Sequence, residues 1–279
     1  MKINSNRIAI IIPYFGNLPW YFAYFIHSCK YNPFIHFYII TEDSNYDEKV
    51  PENVYIIHKS FQEIKALINE KLQLNVVFND PYKLCDFRPA FGIVFNEIFK
   101  GYGFWGYGDI DVIYGNIKRF ITEEMLNEYD IISMREDYLL GCFCLFRNTE
   151  KINTLYTYSR DYKKIFESST HYCFDETNFH YDEFAEDIHY SKINSEVESM
   201  THLVKKMHEK KEIKAYFDFH VIEGLPGELK WDMGVLTYKN KWEAVLYHLI
   251  KLKKIYTPQA TTETTIDNTF FISSSGIHY

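Results

Sequence analysis

Between Arg7 and Tyr14 the chain reads RIAIIIPY, a continuous apolar run with repeated β-branched isoleucine, closed by Pro13 and then Gly16. A run without polar alternation belongs to a strand covered on both faces, the setting of a parallel sheet. Trp20 to Tyr31 is apolar enough for a covered helix, and Ile35 to Ile40 is a short strand stopped by Thr41, Glu42 and Asp43. Strand, helix, strand in this order predicts a doubly wound α/β sheet whose ligands bind beyond the carboxyl ends of the strands.

The pattern continues. Val54 to His58 predicts a third strand, and Ser60 with Glu63 makes a capping box for a helix turning Phe61, Ile64, Leu67 and Ile68 inward. Asp86 is expected to cap a further helix that buries Ala90, Phe91, Val94, Phe95, Ile98 and Phe99, with Pro89 in its first turn. Phe104 to Gly108 is a short apolar strand running directly into Asp109-Ile110-Asp111. A helix capped by Thr122, strands over 130–134 and 139–147, and an amphipathic helix over 149–166 follow. Residues 197–211 read as a helix, 214–222 as a strand, and 229–238 as a hairpin turning near Asp232-Met233-Gly234. Residues 257–279, rich in Thr and Ser and without periodicity, read as a tail.

With 279 residues, 47% of them hydrophobic, the chain can bury one large core, and it is expected to be one domain with additions. Thirty basic against 38 acidic residues give a net charge of -8, which argues against a nucleic-acid surface or general attraction to anionic lipid. Five cysteines without a CxxC pair fit reduced thiols in the cytoplasm. The start MKINSNRIAI lacks a signal-peptide pattern, and no stretch approaches the roughly 20 apolar residues that span a bilayer. The expected location is the cytoplasm, with peripheral contact at the inner membrane face left open. The 24 Tyr and 23 Phe are spread along the chain and read as compositional bias rather than as a site.

The strongest chemical signal is GYGDIDVIYGNI at residues 106–117. In an extended segment residues i and i+2 point the same way, so Asp109 and Asp111 can converge on one cation. Hard carboxylate oxygens select Mg²⁺ or Mn²⁺, which complete their shells with substrate phosphates. An isolated D-x-D is also a common solvated turn. Here its place after a buried strand and the apolar residues on both sides make two unpaired carboxylates costly. No GxxxxGK[ST] or GxSxG is present, which argues against P-loop and hydrolase-elbow chemistry.

The strand-DxD-strand element with its Gly-Asn-Ile continuation resembles the GT-A glycosyltransferases, especially families eight and thirty-two and related bacterial polysaccharide-locus enzymes. Cys85-Asp86-Phe87-Arg88 stands where family thirty-two has Ser-Asp-x-x-Arg, with Cys in place of Ser and Arg88 one residue early. The resemblance covers roughly residues 7–166. It implies a GT-A, Rossmann-like mixed sheet with a C-terminal α+β extension: a nucleotide-sugar core over 1–166, an acceptor-side extension over 167–256 and the tail. It implies a UDP-sugar donor, a glycan or lipid-linked glycan acceptor, and Mn²⁺ or Mg²⁺. Pro13, Tyr14, Phe15 and Gly16 would cradle the nucleoside, with Glu42 or Asp43 on base or ribose. Asp86 and Arg88 would contact the donor, although a salt bridge from Arg88 to Asp86 or Glu42 is an equal alternative. Asp109 would contact ribose or metal, Asp111 the metal.

Two later segments extend the resemblance. YHLIKLKK, residues 247–254, is similar in order to the late His and Lys of family eight, which implies His248 as a third metal ligand and a lysine on the diphosphate, with Lys251 and Lys254 favoured beside Lys253. CFDET, residues 173–177, lies where an acidic residue faces the acceptor, so Asp175 or Glu176 is the expected catalytic group. The remaining histidines show no ligand spacing and read as structural. Two other functions compete with transfer: a metal-dependent phosphoester or nucleotide-sugar hydrolase using the same carboxylates, and a glycan-binding protein with a degenerate transferase fold.

Overall fold

The computed structural model of the chain describes residues 4–44, 49–258 and 266–279. Its strands are β1 (Asn4–Pro13), β2 (Ile35–Thr41), β3 (Val54–His58), β4 (Tyr102–Gly108), β5 (Val112–Tyr114), β6 (Ile131–Ser133) and β7 (Phe143–Arg147). The second half adds β8 (Ala215–Phe217), β9 (Val221–Glu223), β10 (Leu229–Asp232), β11 (Val235–Tyr238), β12 (Trp242–Ala244), β13 (Leu246–His248), β14 (Thr269–Ser273) and β15 (Gly276–His278).

The apolar run at the start forms the inner strand it predicts. β1 pairs in parallel with β2, Ile8 opposite Ile35, and with β4, Ile8 opposite Phe104. Alternation along β1 serves both faces: Ile8, Ile10 and Ile12 pack with Phe22, Phe25, Ile26 and Cys29 of the helix Phe22–Lys30, while Ala9 and Ile11 face Phe61, Ile64, Phe87 and Phe91. The main sheet has the order β3-β2-β1-β4-β7-β6-β8, with the first four strands parallel and β7 antiparallel to β4. This mixed sheet with helices on both faces and a sheet-rich C-terminal region is consistent with the GT-A expectation.

Two smaller sheets complete the molecule. β5-β13-β9 carries the segment after the acid pair, and β12-β11-β10-β14-β15 is an antiparallel meander centred on the buried Trp231. The Gly-Asn-Ile turn after β5 is clamped between them. Asn32 donates to the Gly115 carbonyl at 2.9 Å and accepts from the Ile117 amide at 3.0 Å, and Trp231 donates to the Tyr114 carbonyl at 2.8 Å. Gly115 is required because a Cβ there would lie 2.4 Å from the Ala244 carbonyl oxygen.

Several elements differ from expectation, each for a local reason. Asp86 does not cap a helix: a 3-10 helix, Pro81–Ala90, starts at Asp80, which accepts from the Tyr82 amide at 2.9 Å, and only Phe91–Val94 is α-helical. The helix over 149–166 breaks into Glu150–Asn153, Leu155–Tyr158 and Tyr162–Glu167. At the break Ser159 donates to the Glu198 carbonyl at 2.8 Å and Asp161 accepts from the Glu198 amide at 2.7 Å, so residues 159–161 bond to a distant segment instead of continuing the helix. The strand over 214–222 becomes β8 in the main sheet and β9 in the small one. Of the expected tail, residues 259–265 lie outside the described residues. Its end is not a tail, because Phe270 and Ile272 of β14 enter the core against Trp231 and β14 pairs with β10. The hairpin β10–β11 and the capping box of the helix Phe61–Leu72 agree with expectation.

The helix Met200–Glu209 carries a titratable core group. His202 is buried, shares a 2.7 Å hydrogen bond with Ser199 through Nδ1, and has no partner at Nε2 among the described residues. Burial, with the nearby His180, lowers its pKa from 6.5 to about 4. Between these values the unfolded chain binds the proton and the folded chain does not, so stability falls as pH drops through this window. About 3 kcal/mol is expected to be lost from pH 7 to pH 4 through this group. Urea melts of wild type and His202→Gln along that range test this: the variant should lose part of the acid limb, and an unchanged slope would refute it.

Candidate active site

The acid pair lies between β4 and β5, at a bend rather than in an extended segment. The two carboxylates still converge, because the chain is held from both sides. The Asp109 amide donates to the Cys142 carbonyl at 3.3 Å, and the Asp111 carbonyl accepts from the Leu249 amide at 2.8 Å. The small sheet sets His248 opposite Val112, the residue after Asp111. One ligand atom from each of Asp109, Asp111 and His248 lies within 4.8 Å of the others.

Cationic side chains surround this pair. Asp111 Oδ2 accepts from Lys253 Nζ at 2.6 Å and lies 3.3 Å from His248 Nε2. Burial opposes its ionisation, yet the hydrogen bonds and charges of His248 and Lys253 hold its carboxyl well below the usual range. Burial likewise opposes protonation of His248, but Cys142, Asp111 and Glu223 around it raise the imidazole. Arg88 bonds Asp109 through Nη2 and Asp175 Oδ2 through Nη1, the latter at 2.8 Å. Burial raises Asp109 against the pull of Arg88 and pushes Asp175 up to about 7.

The loop from β1 borders the same site. Burial raises the Tyr14 hydroxyl, which sits in the fields of Lys253 and Asp111, and Tyr21 is raised by burial and by Asp111. Lys253 Nζ lies 5.9 Å from the Tyr21 ring centre. Asp43 accepts from the Leu18 amide at 3.0 Å and so fixes this loop, while Glu42 accepts from the Phe61 amide at 3.4 Å at a helix start. Phe15 packs on Phe61 with ring centres 5.4 Å apart. Pro13 ends β1 and Gly16 has φ +115°, a conformation glycine adopts without strain.

Asp86 faces inward. It is 0% exposed and accepts from Lys83 Nζ at 2.8 Å and from the Tyr172 and Phe174 amides at 2.9 and 2.8 Å. A carboxylate with these partners is an anchor for the loop around residue 173, so the structure sets Asp86 against that loop and Arg88, two residues on, against Asp109 and Asp175. Neither expected salt bridge of Arg88, to Asp86 or to Glu42, is formed; its carboxylate partners are Asp109 and Asp175. Glu176 Oε1 accepts from the Gly141 amide at 2.7 Å and Oε2 from Tyr181 at 2.6 Å. A Cβ on Gly141 would come within 2.8 Å of the Glu176 carboxylate and 3.1 Å of Arg88, so a side chain there would have to shift both. Cys173, Asn178 and Phe179 all have positive φ, at 52°, 56° and 66°. Such conformations persist where surrounding structure enforces them. Here Asp86 holds the front of the loop, and the Ser199 hydroxyl donates to the Glu176 carbonyl at 2.9 Å.

Comparison with known proteins adds a family. Residues 10–278 match DUF6625, described as a family of unknown function. The chain belongs to the DUF6625 family. No protein with a curated description matches it. Among solved structures, mouse xyloside xylosyltransferase 1 in its apo form matches with a TM-score of 0.38 and 9% identity, covering 75% of this chain and 77% of that one.

Within this DUF6625 chain the lysine brought to the acid pair is Lys253. Lys251 and Lys254 are exposed on the flanks of the same short helix, Leu252–Ile255. Sequence order alone does not separate three lysines within four residues; the helical turn does, by turning 253 inward. Two residues of the site carried no signal in the sequence. Glu223 Oε1 lies 3.0 Å from His248 Nδ1, and Arg135 bonds the other Glu223 oxygen. Neither belongs to a motif, and they meet His248 only because β9 and β13 are parallel neighbours. Among the described residues no helix is long and apolar enough to cross a membrane, and the five cysteines are free.

Proposed function

We propose that this protein is a metal-dependent glycosyltransferase of hexosyltransferase type, which moves a sugar from a nucleotide diphosphate donor, UDP favoured, to a glycan or lipid-linked glycan acceptor. The observation that carries this reading is the convergence of Asp109, Asp111 and His248 beyond the carboxyl end of β4, with Lys253 and Arg88 on either side. Two carboxylates and an imidazole fit Mn²⁺ or Mg²⁺, hard cations that accept oxygen donors and leave positions for phosphate. When bound, such an ion supplies charge stabilisation to a departing diphosphate. The chain's own cations add to that stabilisation. A phosphate oxygen competes with Asp111 for Lys253, and a lysine point charge suits it.

Pro13, Tyr14, Phe15 and Gly16 would take the nucleoside, with Asp43 fixing the loop and Glu42 beside it. Arg88, its orientation set by Asp175 at Nη1, would exchange Asp109 for a donor oxygen at Nη2. Asp175 and Glu176, expected to face the acceptor, are committed to Arg88 and to the Gly141 backbone, so their part in this proposal is to hold the donor-binding arginine and its surroundings. Extension of a surface polysaccharide at the cytoplasmic membrane face is the setting in which a lipid-linked acceptor is met.

Calorimetry with UDP tests the reading. Binding is expected with Mn²⁺ and should weaken at least about tenfold in EDTA, equivalent to about 1.4 kcal/mol. UDP binding of equal strength with and without metal would overturn it. Product analysis then separates transfer from hydrolysis, because a hydrolase releases free sugar whether or not a glycan is supplied.

A further inference from the structure

Glu223 stands outside every motif, yet it lies in a row with the acid pair. In the small sheet Glu223 pairs with His248, and His248 pairs with Val112, the neighbour of Asp111. His248 is 8% exposed, with Nδ1 3.0 Å from Glu223 Oε1 and Nε2 3.3 Å from Asp111 Oδ2. Its two ring nitrogens therefore face different carboxylates. Arg135 holds the far side of Glu223 and is itself fixed by Asp137, at 2.8 Å from Nε and 2.9 Å from Nη2, and by the Tyr138 ring, 4.3 Å below its guanidinium carbon.

We propose that Glu223 is a positioning residue: it accepts the hydrogen bond of His248 Nδ1–H, so that a divalent cation at Asp109 and Asp111 displaces the Nε2 proton to solvent and takes the Nε2 lone pair. This rests on the metal reading of that site. An imidazole that ligates through one nitrogen needs the other occupied by an acceptor, or its tautomer and ring orientation are not defined. Cys142, Glu223 and His248 also have ligand atoms within 4.8 Å of one another. A cation among those three would sit beside the Arg135 charge, however, and would occupy the oxygen that Nδ1 uses. The arrangement therefore favours Asp109, Asp111 and Nε2 as the ligand set and Glu223 as its support.

Mn²⁺ affinity, read by electron paramagnetic resonance of free Mn²⁺ in the presence of UDP, tests this without any turnover. Glu223→Leu should weaken Mn²⁺ binding about 10- to 100-fold, the usual effect of removing an outer-shell partner. Glu223→Gln keeps an acceptor oxygen and should fall between that variant and wild type. In a His248→Ala background, Glu223→Leu should cause no further loss, because its effect runs through the imidazole. Wild-type affinity in Glu223→Leu, or an equal loss with and without His248, would overturn the inference while leaving the transferase reading intact. A wild-type protein that binds no Mn²⁺ would overturn both.

Discussion

Asp111→Asn is expected to lower sugar transfer about 10³-fold while the protein stays folded. A metal-held carboxylate contributes several kcal/mol to charge stabilisation, and about 4 kcal/mol corresponds to that factor. Asparagine keeps the volume but not the charge, so the cation loses a ligand that the surrounding side chains hold ionised. The same change leaves Lys253 and His248 without their shared anion. Lys253 is about one-third exposed and can turn to water, which confines the stability cost to the loss of charged hydrogen bonds, about 1–3 kcal/mol. A thermal melt and an initial-rate assay on the same preparation separate the two effects. Transfer at the wild-type rate by Asp111→Asn, or by wild type stripped of divalent ions, would remove the metal from the mechanism.

What could be read from the residues follows from how far apart the interacting groups are in the chain. The β1 run, the Ser60–Glu63 capping box and the Asp232–Gly234 turn are local, and the structure contains all three. Asp109 and Asp111 were legible because a strand delivers them and apolar neighbours make their charge conspicuous. Elements defined by distant partners were not legible. Asp86 has the composition of a cap, but its oxygens are taken by the backbone of residues 172 and 174, a contact no local pattern encodes. The stretch over 149–166 has helical spacing, and bonds to Glu198 break it. Residues 269–278 look featureless because β14 and β15 are short and are stabilised by β10 and by the Trp231 ring rather than by their own alternation. Glu223 and Arg135 belong to the same class: each is an ordinary charged residue until the sheet brings it to His248.

Arg88→Met is expected to destabilise the protein by about 3–5 kcal/mol at pH 8, the cost of removing one partner from a buried ionic cluster. Arg88 joins Asp109 and Asp175, and the two carboxylates differ in what they can do once it is gone. The Asp109 side chain is 31% exposed and can take up water, whereas that of Asp175 is 2% exposed and cannot. Burial already raises Asp175 to about 7 with Arg88 in place, and without the guanidinium it rises further. A carboxyl whose folded pKa lies above its unfolded one stabilises most below the unfolded value and loses that contribution as pH climbs through the folded value. Relative to wild type, the variant should therefore recover stability on acidification from pH 8 to pH 5. Adding Asp175→Asn, which replaces the stranded charge with a neutral group of the same size, should restore much of the loss at pH 8 and flatten the pH dependence. The double-mutant cycle should then show coupling of about 2 kcal/mol between the two positions. Urea unfolding of the four proteins at pH 5 and pH 8 measures all of this. Additive losses that do not change with pH would mean that Arg88 contributes packing of its stem without compensating a buried charge, and its part in binding a donor would lose its electrostatic basis.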